Sequence, residues 1–226
     1  MFLHRVHLNP RCRESRRDLA DAYQLHATLS GAFSPPDIRC PEGEFLWRLE
    51  TAGDPADGPK LLVQSRSIPD WSRIGLEDWM AREPDPAVDL TERLKLGTLQ
   101  AGQHYRFRLR ANPCMMRAGK RVGLLALADQ EAWIARKGLE QHGFTLPALA
   151  SFDFADAGKP RPDIRISQEQ WLRCHQHAGN VIQVFSVLFD GILIVTDPTR
   201  FNLTLSRGIG HGKALGLGLL SVAPVP

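Results

Sequence analysis

Tyr23 and His26 stand three residues apart in ADAYQLHATLSGAF, residues 20–33, a stretch with the composition of a helix. Residues three apart on a helix share a face, so the phenol and the imidazole are expected side by side. A histidine with a pKa near neutral can accept or donate a proton, and a tyrosine can orient a nucleophile or share that transfer. A structural role is the alternative, with Leu25 and Leu29 as the buried stripe and the polar pair at its flank.

A second candidate is the basic segment YRFRLRANPCMMRAGKR, residues 105–121, which contains no acidic residue. Side chains of a strand alternate between two faces, so the arginines at positions 106, 108 and 110 are expected to share one face. Guanidinium groups bind phosphate with bidentate geometry, which favours a nucleic-acid surface. Two alternatives are an ordinary solvated face and pairing of these arginines with acids of another domain. The basic residues of the segment are Arg106, Arg108, Arg110, Arg117, Lys120 and Arg121.

A glycine-rich segment, SRGIGHGKALGLGLL at residues 206–220, lies near the C-terminus. It is not a Walker A motif, because Ala214 follows Lys213 where a magnesium-binding hydroxyl belongs, and it lacks the context of a Rossmann turn. Backbone N–H groups around Gly210 and Gly212 can approach a phosphodiester, with Lys213 adding charge. A tight turn that uses glycines for close packing is the alternative.

Composition narrows the class of protein. The chain has 226 residues, 43% hydrophobic and 23% charged, with a formal net charge of +3. This is typical of a globular protein, and no apolar run reaches the roughly 20 residues of a membrane span. The N-terminus lacks an apolar signal core, so we expect a cytoplasmic protein without a membrane partner. Cysteines at 12, 40, 114 and 174 are far apart, and the cluster at 174–177 is too tight for a zinc site, so no metal is expected.

Hydrophobic patterns predict the order of the elements. Asp190-Gly191 lies between two apolar runs in residues 181–197, which predicts a hairpin with a type I′ turn. Residues 152–170 are polar and are expected to form a loop. Strands are predicted at 2–8, 44–50, 60–66, 105–111, 121–127 and 216–222, and helices at 16–30, 129–142 and 198–207.

These elements predict an α+β fold with two tandem ferredoxin-like (RRM-like) domains and antiparallel sheets. The expected N-terminal domain, residues 1–88, carries the helix with Tyr23 and His26. The expected C-terminal domain, residues 104–226, carries the basic strand and the glycine-rich loop. Residues 82–103 are rich in proline, aspartate and glycine, so the domain boundary is placed there and residues 89–103 are predicted to be a linker.

Five stretches, in register along the chain, resemble the CasE family, the CRISPR RNA-processing endoribonucleases of type I-E Cascade systems. Any one of them is weak evidence, whereas the set covers nearly the whole chain in the right order. The resemblance implies two ferredoxin-like domains, a glycine-rich loop near the C-terminus, and RNA cleavage without metal or cofactor. The stretches are YQLH (23–26), FRLRANP (107–113), GKRV (119–122), VLFDG (187–191) and RGIGHGKALGLGLLSVAP (207–224).

The resemblance also implies roles for single residues. It places Tyr23 and His26 at the scissile phosphate, where the RNA's own 2′-hydroxyl attacks the adjacent phosphorus in line with the leaving 5′-oxygen. Some relatives have a lysine where this chain has Gly31, so the cation that stabilises the phosphorane must come from elsewhere, from Lys213 or from an arginine of the second domain. Ser34, at a position where relatives can have a hydroxyl, is a weaker candidate for catalytic support.

The expected function follows from the resemblance. The protein should bind the stem-loop of CRISPR repeat RNA, cut at the 3′ side of the stem base, and leave a 2′,3′-cyclic phosphate (or 3′-phosphate) and a 5′-hydroxyl. It should be a monomer when free, keep its product and join the other Cascade subunits. The alternatives are a hairpin RNA-binding module without chemistry and an assembly scaffold. RNA contacts are expected from the basic segment, Gly210, Gly212, Lys213, Lys159, Arg161 and Arg165, although Asp156 and Asp163 also fit a solvated loop.

Overall fold

The computed structural model describes residues 1–50, 58–149, 161–175 and 180–225. Its first antiparallel sheet has the strand order β2-β3-β1-β4. The strands are β1 (Phe2–His7), β2 (Phe45–Glu50), β3 (Lys60–Ser65) and β4 (Val88–Asp89). Two helices, α1 (Arg13–Ala20) and α2 (Ala22–Gly31), connect β1 to β2. The strand order of this sheet is that of a ferredoxin-like unit.

The second half of the chain repeats the pattern. Its antiparallel sheet has the order β11-β5-β10-β8, with β9 also paired to β10. The sheet strands are β5 (His104–Ala111), β8 (Phe144–Thr145), β9 (Ile164–His175), β10 (Val181–Val195) and β11 (Leu220–Pro224). A separate hairpin consists of β6 (Cys114–Arg117) and β7 (Lys120–Gly123), and the helices are α3 (Leu90–Arg93), α4 (Leu127–Lys137) and α5 (Pro198–Arg207).

The prediction of two tandem ferredoxin-like units is confirmed. The order β5, α4, β9, β10, α5, β11 is βαββαβ, and the pairing of β5 with both β10 and β11 is antiparallel. Within the described ranges, no helix is both long and apolar enough to cross a membrane.

The residues predicted to be a linker, 89–103, are packed against the second sheet. They include the short helix α3, and Leu90, Leu94 and Leu96 are buried in the same core cluster as the β5 residue Phe107. Each of these leucines removes apolar surface from water, which favours a fixed connection. The division into domains at 1–88 and 104–226 stays a prediction.

The predicted helix at 16–30 is two helices, because Asp21 interrupts it. Asp21 has an extended backbone (φ −138°, ψ 106°), and its carboxylate accepts a hydrogen bond of 2.9 Å from the backbone N–H of Tyr23. Aspartate favours this N-cap position, since its side chain satisfies a donor that the first helical turn leaves free. Leu25 and Leu29 are buried in the core of the first sheet, as the helical spacing predicts.

The predicted hairpin turn at Asp190-Gly191 is wrong, because β10 runs straight through it. A type I′ turn needs positive φ at both residues, and neither has it. Partner strands on both sides hold this part of β10 extended: Asp190 lies opposite Arg108 of β5 and Arg165 of β9. Gly191 permits close packing there, since a Cβ on it would lie 2.9 Å from Cγ2 of Ile164.

Two further predictions of local structure need correction. Residues 164–170, expected in a loop, belong to β9, while 150–160, with Lys159 and Asp156, lie outside the described residues. The strand expected at 121–127 ends at Gly123, because β7 pairs locally with β6 in a tight hairpin. Ala118 and Gly119 close that hairpin with φ of 47° and 74°, as a type I′ turn requires.

A buried arginine joins the two sheets. Arg48 of β2 is 1% exposed and donates to the carboxylate of Glu50, with its nearest nitrogen at 2.5 Å. Its Nη1 also donates to the carbonyl oxygens of Arg108 and Leu219, both at 3.1 Å. Glu50 in turn accepts from Arg108 at 3.2 Å. The network therefore holds β2 against β5 and the segment that enters β11.

The pH dependence of stability should reflect buried histidines. Burial lowers the pKa of His4, which is 2% exposed, to about 4 from 6.5. Between pH 6.5 and about pH 4 the unfolded chain binds a proton at His4 that the folded chain does not. The contribution of His4 to the free energy of unfolding is therefore fully present above pH 6.5 and is lost as the pH falls towards 4. The His4→Gln variant should show a smaller drop in melting temperature between about pH 7 and about pH 5 than the wild type. A drop as large as the wild type's would contradict this assignment.

Candidate active site

The helix α2 brings Tyr23 and His26 to one cavity of about 840 Å³. Leu25 and Leu29 anchor the opposite side of the helix in the core of the first sheet. Tyr23 and His26 therefore share one face of the helix, as their spacing predicts, and both side chains are half-buried at the cavity wall. The wall is built from α2, the start of β2 and the loop before it, the end of α5 and the glycine-rich segment.

The imidazole of His26 is held by stacking. Its ring lies on the ring of Phe45, with centroids 4.9 Å apart and an interplanar angle of 29°. Burial lowers the pKa of His26 below 6.5, so the ring is neutral at neutral pH. Its Nδ1 is buried without a hydrogen-bond partner among the described residues. A neutral imidazole in a cavity can accept a proton from a substrate hydroxyl.

Cationic side chains surround the same cavity. Lys213 reaches it from the glycine-rich segment, and three arginines that the sequence argument did not identify line it as well: Arg39, Arg66 and Arg207. All of these cations are exposed, and within the described part of the chain none forms an ion pair. The arginines lie far apart in sequence, so only the fold brings them to His26.

Acidic residues also line this cavity and reduce the net positive charge of its wall. Glu42 and Glu44 precede β2 on the wall. Glu44 is engaged by Ser67, since its carboxylate accepts from both the backbone N–H and the hydroxyl of that residue. The cationic side chains outnumber the acids at the wall, which favours a phosphate over a cation as ligand.

The glycine-rich segment combines both roles considered from the sequence. Gly210 and Gly212 have φ of 78° and 80°, and a Cβ at Gly212 would lie 2.9 Å from Cδ1 of Leu217. Close packing therefore requires glycine there. Within the described residues, the backbone N–H groups of 210–214 donate to no backbone carbonyl, so they stay available beside Lys213.

A second cavity of about 500 Å³ adjoins the first, and Tyr23 and Ala214 line both. Its wall includes Trp171 of β9, Arg121 of β7 and His211. The hairpin of β6 and β7 is exposed and carries Arg117, Lys120 and Arg121. Basic and aromatic side chains therefore lie between this hairpin and α2, a combination typical of surfaces that bind single-stranded nucleic acid.

The prediction that the three arginines of β5 share an exposed face is wrong for Arg108 and Arg110. Arg110 is 6% exposed and donates to the hydroxyl of Ser186 at 3.4 Å and to the side chain of Gln168. Arg108 pairs with Asp190 at 2.7 Å and with Glu50. The alternative, in which these arginines pair with acids of another domain, describes the contact of Arg108 with Glu50 of the first sheet, whereas Asp190 lies opposite Arg108 in the second sheet. Only Arg106 of the three is exposed.

Other candidates lie away from the first cavity. Ser34 is 6% exposed, packs against Cys40 and does not line the cavity. Arg161 pairs with Glu131 at 2.6 Å, and Arg165 is exposed on β9. Among the described residues no three metal-ligating side chains lie close enough together to hold an ion.

Comparison with known proteins extends over the whole chain. The family model described as CRISPR associated protein matches residues 1–224. The chain is 42% identical to the CRISPR-associated endoribonuclease Cse3 of Thermus thermophilus, with 99% of this chain and 100% of the relative covered. It is 28% identical to the CRISPR system Cascade subunit CasE of Escherichia coli, covering 91% and 93%. A solved structure of Thermus thermophilus Cse3, bound to an RNA representing a pre-cleavage complex, is 41% identical with a TM-score of 0.80, covering 99% and 98%.

Proposed function

The chain belongs to the CasE family of CRISPR-associated endoribonucleases, and we propose that it cuts CRISPR repeat transcripts at the base of their stem-loop to release guide RNAs. The observation that carries this proposal is the cavity that Tyr23, His26 and Lys213 share. The relative Cse3 was solved with a pre-cleavage RNA, and the relative CasE is a Cascade subunit. This protein accordingly keeps its product and joins the other Cascade subunits.

The residues of the cavity can perform a transesterification without a metal ion. The neutral imidazole of His26 accepts the proton of the RNA's 2′-hydroxyl, whose oxygen bonds to the adjacent phosphorus while the bond to the 5′-oxygen breaks. Tyr23 orients the reacting groups. Lys213 and Arg207 stabilise the charge that develops on the phosphorane, in place of the lysine absent at Gly31. The leaving 5′-oxygen takes up a proton from water and the protonated His26 returns its proton to solvent, giving a 2′,3′-cyclic phosphate and a 5′-hydroxyl.

Exposed basic residues bind the RNA. We assign phosphate contacts to the β6–β7 hairpin, through Arg117, Lys120 and Arg121, and to the exposed Arg106 and Arg165. Arg108 and Arg110 hold the protein together instead, because both are engaged by protein groups. Since the substrate is a transcript, the proposed location is the cytoplasm.

A labelled repeat hairpin incubated with the protein in EDTA tests this function. The expected result is one cut at the 3′ side of the stem base, with a 5′-hydroxyl on the downstream product. Binding without cleavage would contradict the proposal in favour of an RNA-binding module. An absence of salt-sensitive binding would contradict it in favour of a scaffold.

Salt dependence distinguishes the arginines that touch RNA from those that hold the fold. Arg121→Ala should weaken hairpin binding and lower the log–log salt slope by about one, because one phosphate contact is lost. Arg110→Ala should leave the slope unchanged and lower the melting temperature, since Arg110 is buried and bonded to Gln168 and Ser186. Binding titrations over a salt series and thermal melts measure both. An unchanged slope in Arg121→Ala, or a reduced one in Arg110→Ala, would reverse the assignment.

A further inference from the structure

One buried carboxylate ties the catalytic helix to the second sheet. Asp21 is 9% exposed, and its Oδ1 accepts from the backbone N–H of Tyr23 at 2.9 Å. Its Oδ2 accepts from the backbone N–H of His175 at 2.9 Å and lies 3.1 Å from Nδ1 of the His175 ring. The two oxygens therefore serve different elements, one the helix α2 and the other the end of β9.

The contact around this carboxylate is close. Cys174, which precedes His175 on β9, is 1% exposed. Burial alone would raise the pKa of Asp21, but the hydrogen bonds from His175 and Tyr23 hold it below its ordinary value. The carboxylate is thus charged at neutral pH, and charge-assisted bonds are the stronger kind.

An N-cap alone does not need this arrangement. A cap uses one side-chain oxygen, and serine serves as well as aspartate in that role. The second oxygen of Asp21 is committed to β9, which pairs with β10 in the sheet that also contains β5. The basic hairpin of β6 and β7 follows β5 directly in the chain. The sheet that carries the proposed RNA contacts is therefore the sheet to which Asp21 is hydrogen-bonded.

We infer that Asp21 is a positioning residue, whose bond to β9 sets the place of His26 relative to the RNA strand. The inference rests on the proposed function. The catalytic pair stands on a helix of the first unit, whereas the RNA contacts stand mostly on the second. Cleavage needs the reacting atoms aligned, and a displacement of about 1 Å can cost about 100-fold in rate. Asp21 joins the two units within two residues of Tyr23 and five of His26.

The test separates the cap from the bond to β9. Asp21→Ser keeps a capping oxygen but cannot reach His175, and Asp21→Ala removes both contacts. Both variants should cleave a repeat hairpin about 10- to 100-fold more slowly in single-turnover assays at saturating protein, with affinity changed by a few-fold at most. The assays are run well below each variant's melting temperature, so that a less stable variant is still folded.

The matched control is Asp197→Ala. Asp197 caps α5, a helix of ten residues like α2, through the N–H of Arg200, and among the described residues no hydrogen bond or ion pair joins it to β9. The Asp197→Ala variant should cleave the repeat hairpin at a rate within a few-fold of the wild-type rate. Cleavage by Asp21→Ser at the wild-type rate would overturn the inference, as would equal losses of rate and affinity. If Asp21→Ser cleaves normally while His26→Ala is inactive, only the inference fails, whereas normal cleavage by His26→Ala removes the proposed function itself.

Discussion

Replacing His26 with alanine is expected to abolish cleavage of a repeat hairpin while its affinity stays within a few-fold of the wild type. The imidazole is neutral, stacked on Phe45 and half-buried at the cavity wall, so it is placed to move a proton and not to anchor RNA. Loss of a general acid–base group lowers a rate by about 10²- to 10⁴-fold. Single-turnover cleavage and equilibrium binding of the same labelled hairpin measure the two effects separately.

The control for His26 is another histidine. His104 is exposed on β5 and does not line the cavity, so His104→Ala should cleave at the wild-type rate. Tyr23→Phe should retain more activity than Tyr23→Ala, because the ring still packs. A parallel loss of binding and cleavage in His26→Ala would show that the histidine is structural.

Removing Arg48 should cause a large loss of stability. Its side chain is 1% exposed, and alanine there would leave Glu50 with fewer partners and the carbonyl oxygens of Arg108 and Leu219 without their donor. Breaking one side of a buried ion pair costs about 3–5 kcal/mol. Urea denaturation of Arg48→Ala should show a decrease in the free energy of unfolding of that order.

Arg5 provides the comparison for Arg48. It pairs with Asp85 at 3.2 Å, but its side chain is 56% exposed. An exposed pair contributes at most about 1 kcal/mol, so Arg5→Ala should be nearly as stable as the wild type. Similar small losses in both variants would mean that the Arg48 network does not hold the two sheets together.

Local patterns predicted the fold where they agreed with the tertiary structure. The helix with Leu25 and Leu29 on its buried face was predictable from spacing alone, as was the buried apolar face of β5, whereas the opposite face of that strand was not. The Asp190-Gly191 turn was not, because β5 and β9 flank β10 on both sides and their ladders override the preference of two residues. Strand β9 was missed since its polar side chains are largely exposed, so no buried stripe marks it.

The residues of the candidate site likewise include some that the sequence could predict and some that it could not. Tyr23 and His26 could be predicted because they are close in sequence on one helix, and Lys213 because it lies in a recognisable glycine-rich segment. Arg66 and Arg207 could not, since each is an isolated arginine that the fold alone carries to the cavity. The burial of Arg110 could not be predicted either, because its partners Gln168 and Ser186 lie on strands that are far from β5 in sequence.

The most direct test of the proposed chemistry uses a repeat hairpin with 2′-deoxynucleotides on the 3′ side of the stem base. If the RNA's own 2′-hydroxyl is the nucleophile, the wild-type protein should bind this hairpin in EDTA about as tightly as the all-RNA hairpin and leave it uncut. The all-RNA hairpin should be cut under the same conditions. Cleavage of the deoxy-substituted hairpin at the same position would contradict the account, because the attacking oxygen would then have to come from water.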